Sequence, residues 1–228
     1  MRVVRRLNGP RWLRMSPTEL GGPAPRGSVT PDESIRCMQR LAQGDERALA
    51  ELHRRWARPL MGFLAGMCGD RALAEDLTQE VFVRVWRAAP RYEPTAKFST
   101  WLFHIARNHW LNEREKRMHR VRAFSLDHAG GDEDQPSLDP KDQGARTPDA
   151  QALNRELGKH IDRAVAHLPE KLRETWVLAV TQGLPYQEIG EILAIPVGTV
   201  KSRMFQAMRA VRDDLKPYLG EDCPDDLR

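Results

Sequence analysis

The stretch FSTWLFHIARNHWLNEREKR, residues 98–117, decides how the rest of the chain is read. Leu102, Ile105, Ala106 and His109 recur at spacings of three and four, the pattern of a helix with one face turned to a core. Arg107, Arg114 and Arg117 fall on another face, within an arc of roughly 80°, and Trp110 is expected to project onto that basic side. Phe98, Trp101, Phe103, His104 and Trp110 stand among Arg107, Arg114, Lys116 and Arg117. Aromatic rings with interleaved cations suit a surface that stacks on bases while neutralising phosphates. Any one of these residues alone fits equally well in an amphipathic helix with a buried aromatic stripe and a solvated charged face. The cluster as a whole points to nucleic acid.

Upstream, Pro90–Lys97 (PRYEPTAK) reads as a proline-punctuated loop leading into this helix. Before it, Ala72–Ala89 predicts a helix that buries Leu73, Leu77, Val81 and Val85. Its other face carries Asp76, Gln79, Glu80, Val83 and Arg87. A polar stripe is usually just solvated, but an exposed Val83 inside it also suits docking of a partner helix. Order begins near Asp32, where Pro31-Asp32-Glu33 resembles a helix start, and runs on through Leu49, Leu52, Trp56, Leu60 and Phe63 to a break at Gly66–Asp70. Met1–Pro31 shows no apolar period and contains GGPAPRG, so it reads as a disordered tail. Its arginines could touch DNA, solubilise the tail, or precede a later start at Met15.

Charge is more informative in its distribution than in its sum of +4. Arg2, Arg5, Arg6, Arg11, Arg14 and Arg26 make the beginning basic. Between Phe124 and Ala150, by contrast, lie Asp127, Asp132, Glu133, Asp134, Asp139, Asp142 and Asp149 against Lys141 and Arg146. That aperiodic stretch, 124–147, reads as an acidic linker. Cys37, Cys68 and Cys223 form no CxxC and are too scattered for a disulfide framework. No apolar run nears the roughly 18 residues of a membrane span, and no secretory signal is present, which together predict a cytoplasmic protein with reduced thiols.

A final helical module, 148–219, begins with Leu153, Leu157, Ile161 and Val165, breaks at Leu168-Pro169, and continues as a helix around Leu172, Trp176 and Val180. After the turn Gln182–Pro185 come a short helix, Tyr186–Leu193, a tight connection, and a longer helix from Gly198 to Asp213. This order fits a helix-turn-helix whose second helix enters a major groove. Val200, Met204, Ala207 and Val211 point inward; Thr199, Ser202, Gln206 and Arg209 point outward, flanked by Lys201, Arg203 and Phe205. With no acid from Gly198 to Arg212, the outer face suits phosphates and base edges.

AEDLTQEVFVRVW at 74–86, FSTWLFHIARN at 98–108, Leu168-Pro169, YQEIGEIL at 186–193 and PVGTVKSRM at 196–204 occur in the order found in one family. The chain resembles a bacterial RNA polymerase sigma factor of the sigma-70 family, extracytoplasmic-function (ECF) subfamily, over nearly all of residues 32–216. The resemblance implies an all-α fold of two small helical domains, 32–123 (sigma region 2) and 148–219 (sigma region 4), joined by a flexible acidic linker and flanked by tails 1–31 and 220–228. It implies that Asp76, Gln79, Glu80 and Val83 dock on core polymerase. It places Lys97, Phe98, Ser99, Thr100, Trp101, His104, Arg107, Asn108, Asn112, Arg114 and Arg117 at the minus-ten promoter element, where a base is flipped out. Thr199, Lys201, Ser202, Arg203, Phe205, Gln206 and Arg209 would serve the minus-thirty-five element. Gln206 stands where many relatives carry a basic residue, so no phosphate or guanine contact is implied there. The implied partners are core polymerase and promoter DNA, with an anti-sigma factor a frequent partner in the family; no cofactor is implied.

No Walker loop, metal cluster or nucleophile with a matched base is apparent, so no enzymatic activity is expected. The alternative reading is a stand-alone DNA-binding regulator that uses only the C-terminal helix-turn-helix, with the front module as a sensor or dimerisation domain.

Overall fold

The computed structural model describes residues 31–125 and 148–219, and all regular structure among them is helical. The front module consists of α1 (Pro31–Ala42), α2 (Glu46–Cys68), α3 (Arg71–Ala88), a single 3-10 turn (Ala89–Arg91) and α4 (Phe98–Ser125). The second module consists of α5 (Pro148–His167), α6 (Glu170–Trp176) continued by a π turn (Val177–Thr181), α7 (Tyr186–Leu193) and α8 (Val197–Leu219). No helix among the described residues is long and apolar enough to cross a membrane. The tails and the acidic linker inferred from the sequence lie outside the described residues, except that α4 reaches Ser125.

The sequence suggests one periodic run from Asp32 to Phe63, but the chain turns at Gly44. Its φ of +91° is a backbone state that L side chains rarely adopt. Asp45 then caps α2 by accepting the Arg47 N–H at 3.0 Å. The break expected over Gly66–Asp70 is narrower in the fold. Gly66 lies within α2, which ends on Gly69 in the left-handed conformation, and the side chain of Asp70 accepts the N–H groups of Ala72 and Leu73 to start α3. Such a cap contributes about 1 kcal/mol. Trp56 bridges α2 to α1 through an Nε1–H bond to Ser34 Oγ at 3.1 Å.

The inward positions of α3 follow the expected Leu73, Leu77, Val81 and Val85, joined by Ala74, Thr78 and Phe82. On α8, Val200, Met204, Ala207 and Val211 are likewise buried. In the helix-turn-helix, Ala194 takes the left-handed conformation, and a Cβ on Gly190 would lie 2.9 Å from Ile195 O. Only glycine lets α7 and the turn approach this closely.

The modules pack together. The face of α2 bearing Gly62 and Gly66 lies against the π turn: a Cβ on Gly62 would meet Gln182 Nε2 at 3.2 Å, and one on Gly66 would meet Val177 Cγ2 at 2.9 Å. The side chain of Arg173 reaches back to Met67 O at 3.4 Å while also binding Leu168 O at 3.1 Å.

Candidate nucleic-acid interface

Residues 98–117 are helical, but the buried arc of α4 is wider than the periodicity suggests. Leu102, Ala106 and His109 are buried as expected, and so are Phe98, Thr100, Phe103 and Trp110. Phe98 sits in an aromatic cluster with Trp56, Tyr92 and Trp101, at ring-centroid distances of 5.5, 6.3 and 5.6 Å, while Phe103 packs on Phe63 at 5.4 Å. Phe98 and Thr100, both expected on the DNA face, are thus buried in the structure, at 1% and 5% exposure. Trp110, expected on the basic side, is buried as well. It is only 8% exposed, and its position on the helix lies beside the arc that meets the second module.

The exposed surface of α4 divides into two neighbouring stripes. Trp101 (half-buried), His104, Asn108 and Asn112 form one, with Asn108 and His104 side chains 3.3 Å apart. The other carries Ser99, Arg107 and Arg114, with Lys97 just before the helix, and each of these is engaged by a glutamate of the second module. Lys97 Nζ lies 2.5 Å from Glu188 Oε1, and Ser99 donates its hydroxyl to Glu188 Oε2 at 3.3 Å. Arg107 forms a two-pronged pair with Glu174, Nε to Oε1 at 3.1 Å and Nη2 to Oε2 at 3.3 Å. Arg114 pairs with Glu170. Arg117 lies further along, exposed, 3.6 Å from Glu113.

On α3, Asp76, Gln79, Glu80 and Val83 all face solvent, Val83 at 44% exposure. The sequence reading missed Trp86, which is 52% exposed one turn beyond Val83. With Leu49, His53 and Phe82 these two residues line an open, largely apolar groove of about 700 Å³ between α2 and α3. The spacing of Trp86 from Val83 was its available signal. On the other side, Arg84, Arg87, Arg91, Tyr92, Glu93 and Trp101 line a cleft of about 840 Å³ that was also missed. Its arginines recur at intervals of three and four, but its shape depends on the loop after α3. Glu80 Oε2 lies 2.9 Å from His109 Nε2. Burial, followed by the charge of Arg84, pushes His109 below its ordinary pKa against the opposing pull of Glu80 and Glu113.

The outer face of α8 is open. Lys201, Ser202, Gln206 and Arg209 are exposed, Thr199 and Arg203 are half-buried, and Phe205 is 57% exposed. Gln206 Nε2 donates to Ser202 Oγ at 3.4 Å, which ties two of the expected base-reading side chains together.

Family models match both modules: Sigma-70 region 2 over residues 52–120 and Sigma-70 region 4 over residues 159–211. The ECF RNA polymerase sigma factor SigW of Bacillus subtilis is 31% identical over 180 residues, which covers 78% of this chain and 95% of that protein. The chain belongs to the ECF RNA polymerase sigma factors. The RNA polymerase sigma-H factor of Pseudomonas aeruginosa is 29% identical over 198 residues, 85% of this chain and 99% of that protein. Among solved structures, the fold of this family member resembles that of the sigma factor RpoE from Bartonella quintana, crystallised with the anti-sigma factor NepR. That match has a TM-score of 0.59 and 22% identity, and covers 73% of this chain and 94% of that one.

Proposed function

We propose that this sigma factor binds core RNA polymerase, directs it to a class of promoters in the cytoplasm and assists in opening them, without a catalytic centre of its own. The observation that carries this reading is the separation of chemically distinct exposed faces on one helical body. The α3 stripe, with Val83 and Trp86 exposed beside acidic and amide groups, suits a protein helix. The outer face of α8 offers Lys201, Arg209 and Phe205 beside Ser202 and Gln206, which suits duplex DNA.

These placements support the following roles. Asp76, Gln79, Glu80 and Val83 dock polymerase, extended by Trp86. His104, Asn108, Asn112 and Arg117, with half-buried Trp101, contact the minus-ten region, and Lys97, Ser99, Arg107 and Arg114 join them when freed of their glutamates. Extruding a base costs a few kcal/mol, which stacking and edge contacts offset; Tyr92 and Trp101, at the cleft that also holds Arg84, Arg87 and Arg91, are suited to supply them. Thr199, Lys201, Ser202, Arg203, Phe205, Gln206 and Arg209 contact the minus-thirty-five element.

Run-off transcription with purified core polymerase on promoter fragments from the same genome tests the reading. Discrete new transcripts are expected only in the presence of the protein. The double substitution Gln79→Arg with Glu80→Arg is expected to abolish polymerase capture while leaving duplex binding by the free protein nearly unchanged. DNA binding without polymerase capture or transcripts would establish the stand-alone regulator instead.

A further inference from the structure

We propose that Gln206 reads an adenine in the minus-thirty-five element, with Ser202 as the positioning residue that holds its amide in the reading orientation. The inference rests on the assignment of α8 as the helix that enters the major groove and adds the identity of a base.

The helical period sorts the outer residues of α8 by chemistry. At about 100° per residue, Thr199, Ser202 and Gln206 share the crest of the outer face, while Lys201 and Arg203 stand on opposite flanks, each about 100° from Ser202. A helix seated in a major groove turns its flanks towards the two phosphate backbones and its crest towards base edges. The flanking cations are therefore placed for phosphates, and the neutral hydroxyl and amide of the crest for bases. Arg209 shares the crest but lies nearly two turns beyond Ser202, further from the start of the helix.

Gln206 is exposed, and among the described residues its hydrogen-bond partner is Ser202, whose Oγ accepts from Nε2 at 3.4 Å. A glutamine amide carries two N–H donors and one carbonyl acceptor. With one N–H given to Ser202, one donor and one acceptor remain side by side. Adenine presents the complement in the major groove, since its N7 accepts and its N6–H donates. Guanine shows two acceptors there, cytosine a donor and thymine an acceptor beside its methyl group, so each leaves half of the amide unmatched. No acid occurs from Gly198 to Arg212 to compete for the amide. The bond to Ser202 also restrains a long side chain before DNA arrives, which lowers the entropy lost on binding.

Two experiments with the full chain and core polymerase test this. The first uses a promoter mapped by run-off transcription, with its minus-thirty-five region randomised, and reads base preference at each position from the transcripts. At one position the parent is expected to favour adenine over guanine by about tenfold or more, and Gln206→Arg to favour guanine there, with the other positions keeping their preferences. Ser202→Ala is expected to lower the adenine-to-guanine ratio at that same position. The proposal is overturned if Gln206→Arg changes the preference at no position, or if the parent prefers another base at the position that changes. An unchanged ratio in Ser202→Ala would remove the positioning role. The second experiment places 7-deazaadenine at that position, which deletes the N7 acceptor and keeps pairing with thymine. The parent is expected to lose about fivefold in transcript and Gln206→Ala to lose nothing further. A parent insensitive to the change, or equal losses in both proteins, would overturn the adenine contact. A parent chain that gives no transcript with core polymerase would instead remove the promoter-binding reading itself, and the inference with it.

Discussion

The basic faces of α4 and α8 are built from similar side chains and meet opposite fates. Each is a helix with cations and amide or hydroxyl groups outside and apolar residues inside. On α8 the outer residues Lys201, Ser202, Phe205, Gln206 and Arg209 are all exposed, and the buried positions are those the period selects. On α4, Ser99, Arg107 and Arg114, with Lys97 just before it, are held by glutamates from beyond position 169, and Phe98, Thr100 and Trp110 are buried. A helical period reports which face is apolar; it does not report which polar face another part of the chain will cover.

The largest expected effect separates the two faces directly. Arg107→Ala leaves buried Glu174 without its cation, a cost on the order of 3–5 kcal/mol that the chain can relieve by parting its modules. Small-angle X-ray scattering is expected to show a larger radius of gyration for Arg107→Ala and no change for Arg209→Ala on exposed α8. A compact Arg107→Ala chain would remove the contrast between the faces.

A smaller effect sharpens the role of α8. Lys201→Ala together with Ser202→Ala is expected to weaken the minus-thirty-five element by about 1–3 kcal/mol per lost base contact, read as competition between promoter variants, while polymerase capture is preserved. Unchanged promoter choice would move recognition away from this helix.

The smallest effect concerns the buried side of α4. His109 is held below its usual pKa of 6.5, chiefly by burial. The unfolded chain therefore takes up the proton more readily, so this contribution to stability is complete above about pH 6.5 and declines as pH falls through that value. The urea midpoint is expected to be lower at pH 5.5 than at pH 7.5, and His109→Gln to reduce the difference. A midpoint that rises on acidification would mean that Glu80, 2.9 Å away, dominates instead.

Much of the fold was legible because it depends on local chemistry. The break before α3, the turn before Tyr186, the short helix Tyr186–Leu193 and the inward set Val200, Met204, Ala207 and Val211 follow from period and turn residues. The turn at Gly44 was not singled out, because the apolar run resumes after it almost in phase. The exposed stripe Asp76, Gln79, Glu80 and Val83 was readable for the same local reason, whereas the groove that adds Trp86 needs α2 alongside α3.

The sequence by itself determined the helices, their apolar faces and the order of motifs that marks the family, since each depends on residues within a few turns of one another. Only the tertiary structure decided that Phe98 and Thr100 are core, and that Arg107 faces Glu174 across 67 positions of chain and Lys97 faces Glu188 across 91. Pairs so distant leave no periodic trace, because their meeting depends on how the two modules pack and not on any local preference.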